Sequence, residues 1–425
     1  MDSHRQPQPG AEPTAAGRRL AALAPLSSLR YLAALHLFAF HLQAAGRMQR
    51  GDASAPPVLI VTESWPIWMR TLIERGYCST SLFFLLSGLV LTYLYVDEHG
   101  EQTIGNRAFW WARFTRLYPL HCAVLWLIAP LVIWFALQHP HPTLLGLEIP
   151  RPVWLLIGYL LSATLTQAWF PEFALSWNFP TWALSTVVFF YAVFPWLTGR
   201  LRALGTRGWT TLVVVCPLVS LIPPVLYLMV AGEDRQMTFD ASDFGKQFWN
   251  EFVMRTPLFW LPHFLLGMAI ARRWQLTRHG PPAVTPTGVQ RWLSWGDVSA
   301  AVLLAVLVVP DTSLAAALGL PAYAFRLILR HGALAPLYVV LVLDLARGRG
   351  LLVRLLSTSW LARLGDASFS LFILQLPLMI VGAGLSSVSR LPPSIAWIGL
   401  LAFTTLVALG SAALEQRLTR RLRLG

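Results

Sequence analysis

Apolar stretches of about the twenty residues that cross a hydrocarbon core as a helix recur along the whole chain, separated by short polar connections. The candidates lie near residues 26–45, 79–96, 117–137, 153–169, 180–198, 209–231, 256–271, 294–309, 331–346, 367–386 and 393–413. Because they fill the chain from end to end, they form one bundle rather than a soluble domain with an anchor. The fold class expected is all-α, a polytopic membrane helix bundle. Residues 1–20 are expected as a disordered cytoplasmic tail, since Met1 to Ala16 is rich in Pro, Gln, Ala and Gly without apolar periodicity. Residues 21–425 then make one integral membrane domain. Arg18 and Arg19 resemble the basic start of a signal peptide, yet the run behind them contains Arg30 and continues to Ala45 without a convincing cleavage site. It is expected to be retained as a helix.

Composition supports this picture: 56% of the 425 residues are hydrophobic and only 12% are charged, against roughly a quarter charged in soluble domains. The net charge of +13 would suggest a polyanion partner in a soluble protein. Here the arginines collect between apolar stretches, as the positive-inside rule requires, and nucleic-acid binding is the poorer explanation. The basic connections are Arg107 to Arg116, Arg200 to Arg207, Arg272 to Arg291, Arg347 to Arg363 and Arg417 to Arg423, all expected on the cytoplasmic side. The segment from Glu233 to Glu251 is more acidic and is expected outside. Two candidates separate each neighbouring pair of basic connections, except that three lie between Arg116 and Arg200. One of those three therefore does not cross, and 153–169 is the expected one. That leaves about ten transmembrane helices in a cytoplasmic membrane with both termini cytoplasmic.

Ionisable residues inside membrane helices cost several kcal/mol unless paired or hydrated, so each is a functional candidate. The first helix carries Arg30, His36 and His41. Arg30 and His41 are eleven residues apart, about three turns, so they share a face with ~16 Å between their Cα atoms, whereas His36 points elsewhere. Two readings stand for the pair. It is a cation holding an anionic donor plus a histidine that takes a proton from an acceptor, or a snorkelling arginine and a histidine bonded to a neighbouring helix. Arg113 and Arg116 stand one turn apart and can converge on a phosphate, although every positive-inside segment supplies such arginines. Ser87-Gly88 permits close helix approach, and small pairs commonly serve packing. His263 follows Pro262 in mid-helix with Arg255 at the outer end, either lining a polar cavity or partnering structurally. Asp344, Asp366 and Glu415 lie near helix ends with arginines close by, where local pairing explains them. Cys78, Cys122 and Cys216 lack metal or disulfide spacing, and His139 and His141 lack a supporting ligand, so no metal site is expected.

These features occur in the order found in the acyltransferase-3 family of membrane proteins, which this chain resembles over nearly its whole length. The resemblance is carried by Arg30 and His41 with ten residues between them, and by Phe83-Phe84-Leu85-Leu86-Ser87-Gly88, similar to an FFxLSG helix. Arg113, Arg116, Leu117, Tyr118 and Pro119 resemble an RxxRLYP segment. Asn178, Pro180 and Trp182 to Ser185 follow at the family spacing, as do Phe190-Tyr191 and Phe194-Pro195. Pro262 to Gly267 resembles a PxFLLG helix, and Ser368 to Pro377 resembles SYSLYLxHxP. The resemblance implies an acyltransferase that moves an acyl group, acetyl foremost, from acyl-CoA to a hydroxyl of a glycan or glycolipid. No tightly bound cofactor is implied, because acyl-CoA (acetyl-CoA) is a substrate. His41 and Arg30 become the implied catalytic pair and Arg113 and Arg116 the donor-binding pair. Ser87, Tyr118, Trp182, Asn178, Arg255, His263 and Gln375 are in supporting positions. The expected partners are the lipid bilayer, acyl-CoA and the acceptor; oligomeric state is not legible.

Two departures matter. The family pattern puts a carboxylate five positions after the tryptophan, where this chain has Val187, and Glu172 is the nearest upstream acid. A carboxylate that orients His41 would be lost here. Gln375 stands where a histidine is common, and an amide carries no proton at neutral pH. A catalytically impaired homologue, or a non-enzymatic transporter or binding protein, is therefore the alternative.

Overall fold

The computed structural model describes residues 15–48, 56–138, 143–144, 147–230, 244–277, 293–389 and 391–424. The apolar stretches form helices, because in hydrocarbon only intrahelical bonds satisfy the backbone. They are α1 (Ala15–Met48), α2 (Ser79–Tyr95), α3 (Asn106–Gln138), α4 (Arg151–Ala163), α5 (Trp182–Leu201), α6 (Thr206–Val219), α7 (Phe244–Arg255) and α8 (Pro257–Thr277). Then follow α9 (Trp295–Val308), α10 (Asp311–Ala317), α11 (Ala322–Ile328), α12 (Ala335–Arg347), α13 (Ser359–Ile373), α14 (Gln375–Val388) and α15 (Pro393–Leu424). Short helical turns link several of them, and a two-residue strand pairing joins Thr143–Leu144 to Leu147–Glu148. Of the tail expected over 1–20, residues 1–14 lie outside the described residues, and α1 is already formed at Ala15.

Among the described residues 8 helical stretches are long and apolar enough to cross a membrane, or up to 10 if each of two bent pairs is one span. The protein is a multi-pass membrane bundle. Large apolar side chains such as Trp126, Leu127, Trp134, Leu218 and Leu406 stand exposed, as lipid contact permits and water does not. The α4 helix, expected not to cross, has only 13 residues, about 20 Å of rise.

The bundle centres on α2 and α8, which pack more extensively than any other pair. Two glycines allow that approach: a Cβ on Gly88 would overlap the Phe264 carbonyl, and one on Gly267 would overlap the Leu85 carbonyl. Gly88 thus serves the close packing expected of the Ser87-Gly88 pair. Helix α1 lies along α13, where a Cβ on Gly365 would strike the Ser27 backbone.

The expected crossing over 367–386 is bent rather than straight, and the one over 294–309 runs into a bend at its end. Helices α9 and α10 meet at 103° around Pro310. The carbonyls left over at the end of α9 are taken up by the buried Arg75, which donates to Val306, to Val309 (2.6 Å) and to Asp311 (2.9 Å). Helices α13 and α14 meet at 80°. Pro377 has no N–H for the carbonyl four residues earlier and its ring crowds that carbonyl. The residue concerned is Ile373, the last of α13, and Asn178 Nδ2 donates to its oxygen at 3.0 Å. A side chain replaces the backbone bond lost at the break.

Candidate functional site

The uninterrupted turns of α1 between Arg30 and His41 put both side chains on the bent pair. Arg30 donates from Nε to Ser368 Oγ (2.9 Å) and from Nη2 to the Gly365 carbonyl (3.2 Å), both in α13. His41 Nδ1 lies 2.6 Å from Gln375 Oε1, at the first residue of α14. The shared face inferred from the eleven-residue spacing is therefore real, and the bend between α13 and α14 follows it. His36 faces away and is fully engaged, with Ser79 Oγ at 3.0 Å and the Leu72 carbonyl at 2.6 Å.

Around Arg30 the structure brings together residues from five helices. Arg113 and Arg116 of α3, Ser87 of α2, Val187 and Tyr191 of α5, and Ser368 of α13 line one cavity with it. Arg113 is held in place: its guanidinium lies 5.1 Å from the Tyr95 ring centroid and 6.0 Å from that of Tyr191, and it donates to the Tyr95 hydroxyl. No carboxylate lines the cavity. Three guanidinium groups converge there; Asp366 acts on Arg30 and Glu415 on Arg116 from outside the lining, and the forks that face the cavity suit an anion with several oxygens, such as a phosphate.

The surroundings of His41 are apolar and aromatic. Phe179 stands edge-on to the imidazole with centroids 4.9 Å apart, and Phe40 is at 5.3 Å. Phe179 and its neighbour Asn178 come from the loop before α5. Leu165 (φ 56°) and Trp177 (φ 61°) in that region adopt left-handed backbone, which costs a bulky residue of order 1–3 kcal/mol. The chain bears this strain where it delivers Asn178 to the broken helix and Phe179 to the histidine. With the Gln375 amide oxygen accepting from Nδ1–H, the imidazole keeps its lone pair on Nε2, the form a general base needs.

This geometry corrects one expectation drawn from Val187. His41 does not lack an orienting partner, because Gln375 supplies it. Val187 lies instead in the wall of the arginine cavity, so a carboxylate at that position faces cations. Glu172 sits in the turn Pro171–Phe173, against α7. Tyr118 is not among the cavity-lining residues; it stacks on Phe114 with centroids 4.6 Å apart. Trp182 packs edge-on against Phe84 at 6.1 Å and beside Trp260 at 5.9 Å, while Ser87 lines the cavity and donates to the Phe83 carbonyl. Arg255 pairs with Glu251 one turn earlier in α7. His263 is buried against Trp260. Asp344 accepts from the Gly296 N–H at 2.7 Å and lies 4.0 Å from Arg347, the nearby arginine expected to pair with it. His139 and His141 lie outside the described residues.

Sequence reasoning missed Arg330 and His331. They sit on a π turn, Leu329–Ala333, between α11 and α12, a distortion frequent at functional sites. The guanidinium of Arg330 lies 6.0 Å from the Trp182 ring and 5.9 Å from the Trp260 ring, and His331 stacks on Trp260 at 4.5 Å. Arg330 and Arg255 both act electrostatically on the His41 ring. The available signal was two ionisable residues at the edge of an apolar stretch.

A family model described as an acyltransferase domain matches residues 26–413. The chain is 30% identical over 290 residues to a protein of Streptomyces mycarofaciens named acyltransferase MdmB, a match that covers 68% of this chain and 63% of that one. The chain thus spans less than two thirds of that relative's length. A protein of Rhizobium radiobacter named protein 2 in picA locus is 46% identical over 54 residues, 13% of this chain and 28% of the other. No solved structure matches.

Proposed function

The chain belongs to the acyltransferase-3 family, and from that premise we propose that it transfers an acyl group, acetyl foremost, from cytoplasmic acyl-CoA to a hydroxyl of a glycan, glycolipid or related envelope acceptor. The donor's phosphates bind at Arg113 and Arg116, with Arg30 deeper in the same cavity. The positive-inside rule puts this end of the bundle, and both termini, at the cytoplasm. His41 then lies toward the outer half, where an acceptor assembled at or beyond the outer face enters.

In the reaction His41 Nε2 takes the proton of the acceptor hydroxyl as its oxygen attacks the thioester carbonyl. The tetrahedral intermediate collapses, the C–S bond breaks, and the imidazolium returns the proton to the departing thiolate. Gln375 holds the ring in the tautomer that leaves Nε2 free, and Phe179 and Phe40 restrict water. The observation that carries this reading is the single face of α1 that seats Arg30 beside the arginine cavity and His41 on Gln375.

The test is transfer of labelled acetyl from acetyl-CoA by the purified protein in lipid, supplied with envelope glycans of its native host. Labelled product is expected; absence of transfer to any glycan pool would sink the reading. A catalytically impaired homologue loses one ground, because the orienting role feared lost at Val187 is filled at Gln375. A transporter is not favoured by any particular feature of the site.

A further inference from the structure

Buried arginines in this bundle are of two kinds. Arg75 is fully satisfied by two carbonyls and the Asp311 carboxylate. Arg330, deep among Tyr77, Cys78 and Tyr323, makes no hydrogen bond or ion pair with any described residue, and its Nε is buried without a partner. A membrane protein that keeps a buried cation unpaired incurs a large desolvation cost, which an anionic ligand offsets. We propose that Arg330 is the anchor of an acceptor subsite that binds a carboxylate or phosphate, so that the acyl acceptor is a hydroxyl compound bearing such a group.

This inference rests on the acyltransferase reading, and the geometry supports it in three ways. First, the Trp182 and Trp260 ring centroids lie 6.0 and 5.9 Å from the guanidinium carbon, so the aromatic neighbours attract the cation without neutralising its charge or taking up its planar N–H fork as a carboxylate or phosphate would. Second, the neighbouring Arg255 spends its charge on Glu251, so the pair of arginines carries one cation in excess. Third, unpartnered buried polar atoms gather nearby: both ring nitrogens of His331, and Gln375 Nε2. Such donors and acceptors suit the hydroxyls of a sugar. Arg330, Arg255 and His41 each keep some accessible surface, and both arginines lie within electrostatic reach of the His41 ring. The acidic group is thereby held on the side of His41 away from the donor cavity, whose lining includes none of these residues.

The test is equilibrium binding to the purified protein in lipid nanodiscs, which needs no turnover. Methyl glucuronide, glucose 1-phosphate and methyl glucoside are the probes, and coenzyme A is the control for the donor cavity. One of the two acidic sugars is expected to bind at least tenfold more tightly than the glucoside, and which one identifies carboxylate or phosphate. Arg330→Met is expected to remove that preference while coenzyme A binds as in the wild type. Arg330→Lys, which keeps the charge but not the fork, is expected to retain part of it. Equal affinity for acidic and neutral sugars in the wild type would overturn the proposal even if Arg330→Met failed to fold. So would an unchanged preference in Arg330→Met. Loss of acyl transfer in Arg330→Met with its acidic-sugar affinity intact would place the cation on the reacting carbonyl instead, and would overturn the proposal while leaving the acyltransferase reading standing.

Discussion

Replacing Gln375 with leucine removes the oxygen that accepts from His41 Nδ1–H at 2.6 Å and keeps the volume nearly constant. Gln375 is fully buried, so no bulk water takes its place. A buried donor left unpaired costs about 1–3 kcal/mol, and at about 1.4 kcal/mol per tenfold that becomes a factor of roughly 10–100. Loss of a group that orients a histidine through its second nitrogen has effects of the same size, about 10–100-fold. The effect falls outside donor binding, because the arginine cavity proposed for the donor does not include Gln375. The assay is transfer of labelled acetyl under varied acetyl-CoA, which separates kcat from KM. Gln375→Leu should lower kcat by that factor with KM for acetyl-CoA unchanged. Gln375→Glu, which still offers an oxygen to Nδ1–H, should recover most of the rate and shift its pH profile, as a carboxylate partner stabilises the imidazolium. Wild-type kcat in Gln375→Leu would refute the idea that this amide sets the tautomer of His41.

Other consequences follow from the same contacts. Val187→Glu puts a carboxylate among Arg30, Arg113 and Arg116, and should raise KM for acyl-CoA by roughly tenfold or more; a gain in kcat would instead restore the view of Val187 as a lost orienting carboxylate. Asn178→Ala removes the donor to the Ile373 carbonyl and should lower stability by about 1–3 kcal/mol, read as a lower Tm in detergent. Arg75→Leu strands the carbonyls at the end of α9 and unbalances Asp311; breaking such a buried pair costs about 3–5 kcal/mol, so the protein should largely vanish from the membrane fraction. Gly88→Val should do the same by forcing α2 and α8 apart.

Much of the site was legible because membrane helices put few polar residues where they are expensive. The eleven-residue spacing of Arg30 and His41 fixed one face of α1, and both residues seat on that face's neighbour. Arg113 and Arg116, one turn apart, do line a single cavity. Asn178 was visible only as a motif position; its role in covering the Ile373 carbonyl depends on a break that hydropathy does not register. Residues 367–386 read as one apolar span, although Pro377 held the information that a carbonyl four residues earlier goes unpaired. Arg330 and His331 escaped notice because a span edge usually marks snorkelling, and nothing in a linear pattern signals a π turn folded inward between Trp182 and Trp260. The misplacement of Tyr118 is of the opposite kind: a motif neighbour of Arg116 that helical geometry sends to another face.

The proposed division of labour along α1 holds the donor at the arginine cavity and takes the proton at His41. The most direct test measures both on one sample: binding of acetyl-CoA and single-turnover acetyl transfer by His41→Ala, beside the wild type and Arg113→Ala. The expected result is that His41→Ala binds acetyl-CoA as the wild type does and transfers nothing measurable, while Arg113→Ala binds it roughly tenfold or more weakly. Transfer by His41→Ala at the wild-type rate would contradict the account at its centre.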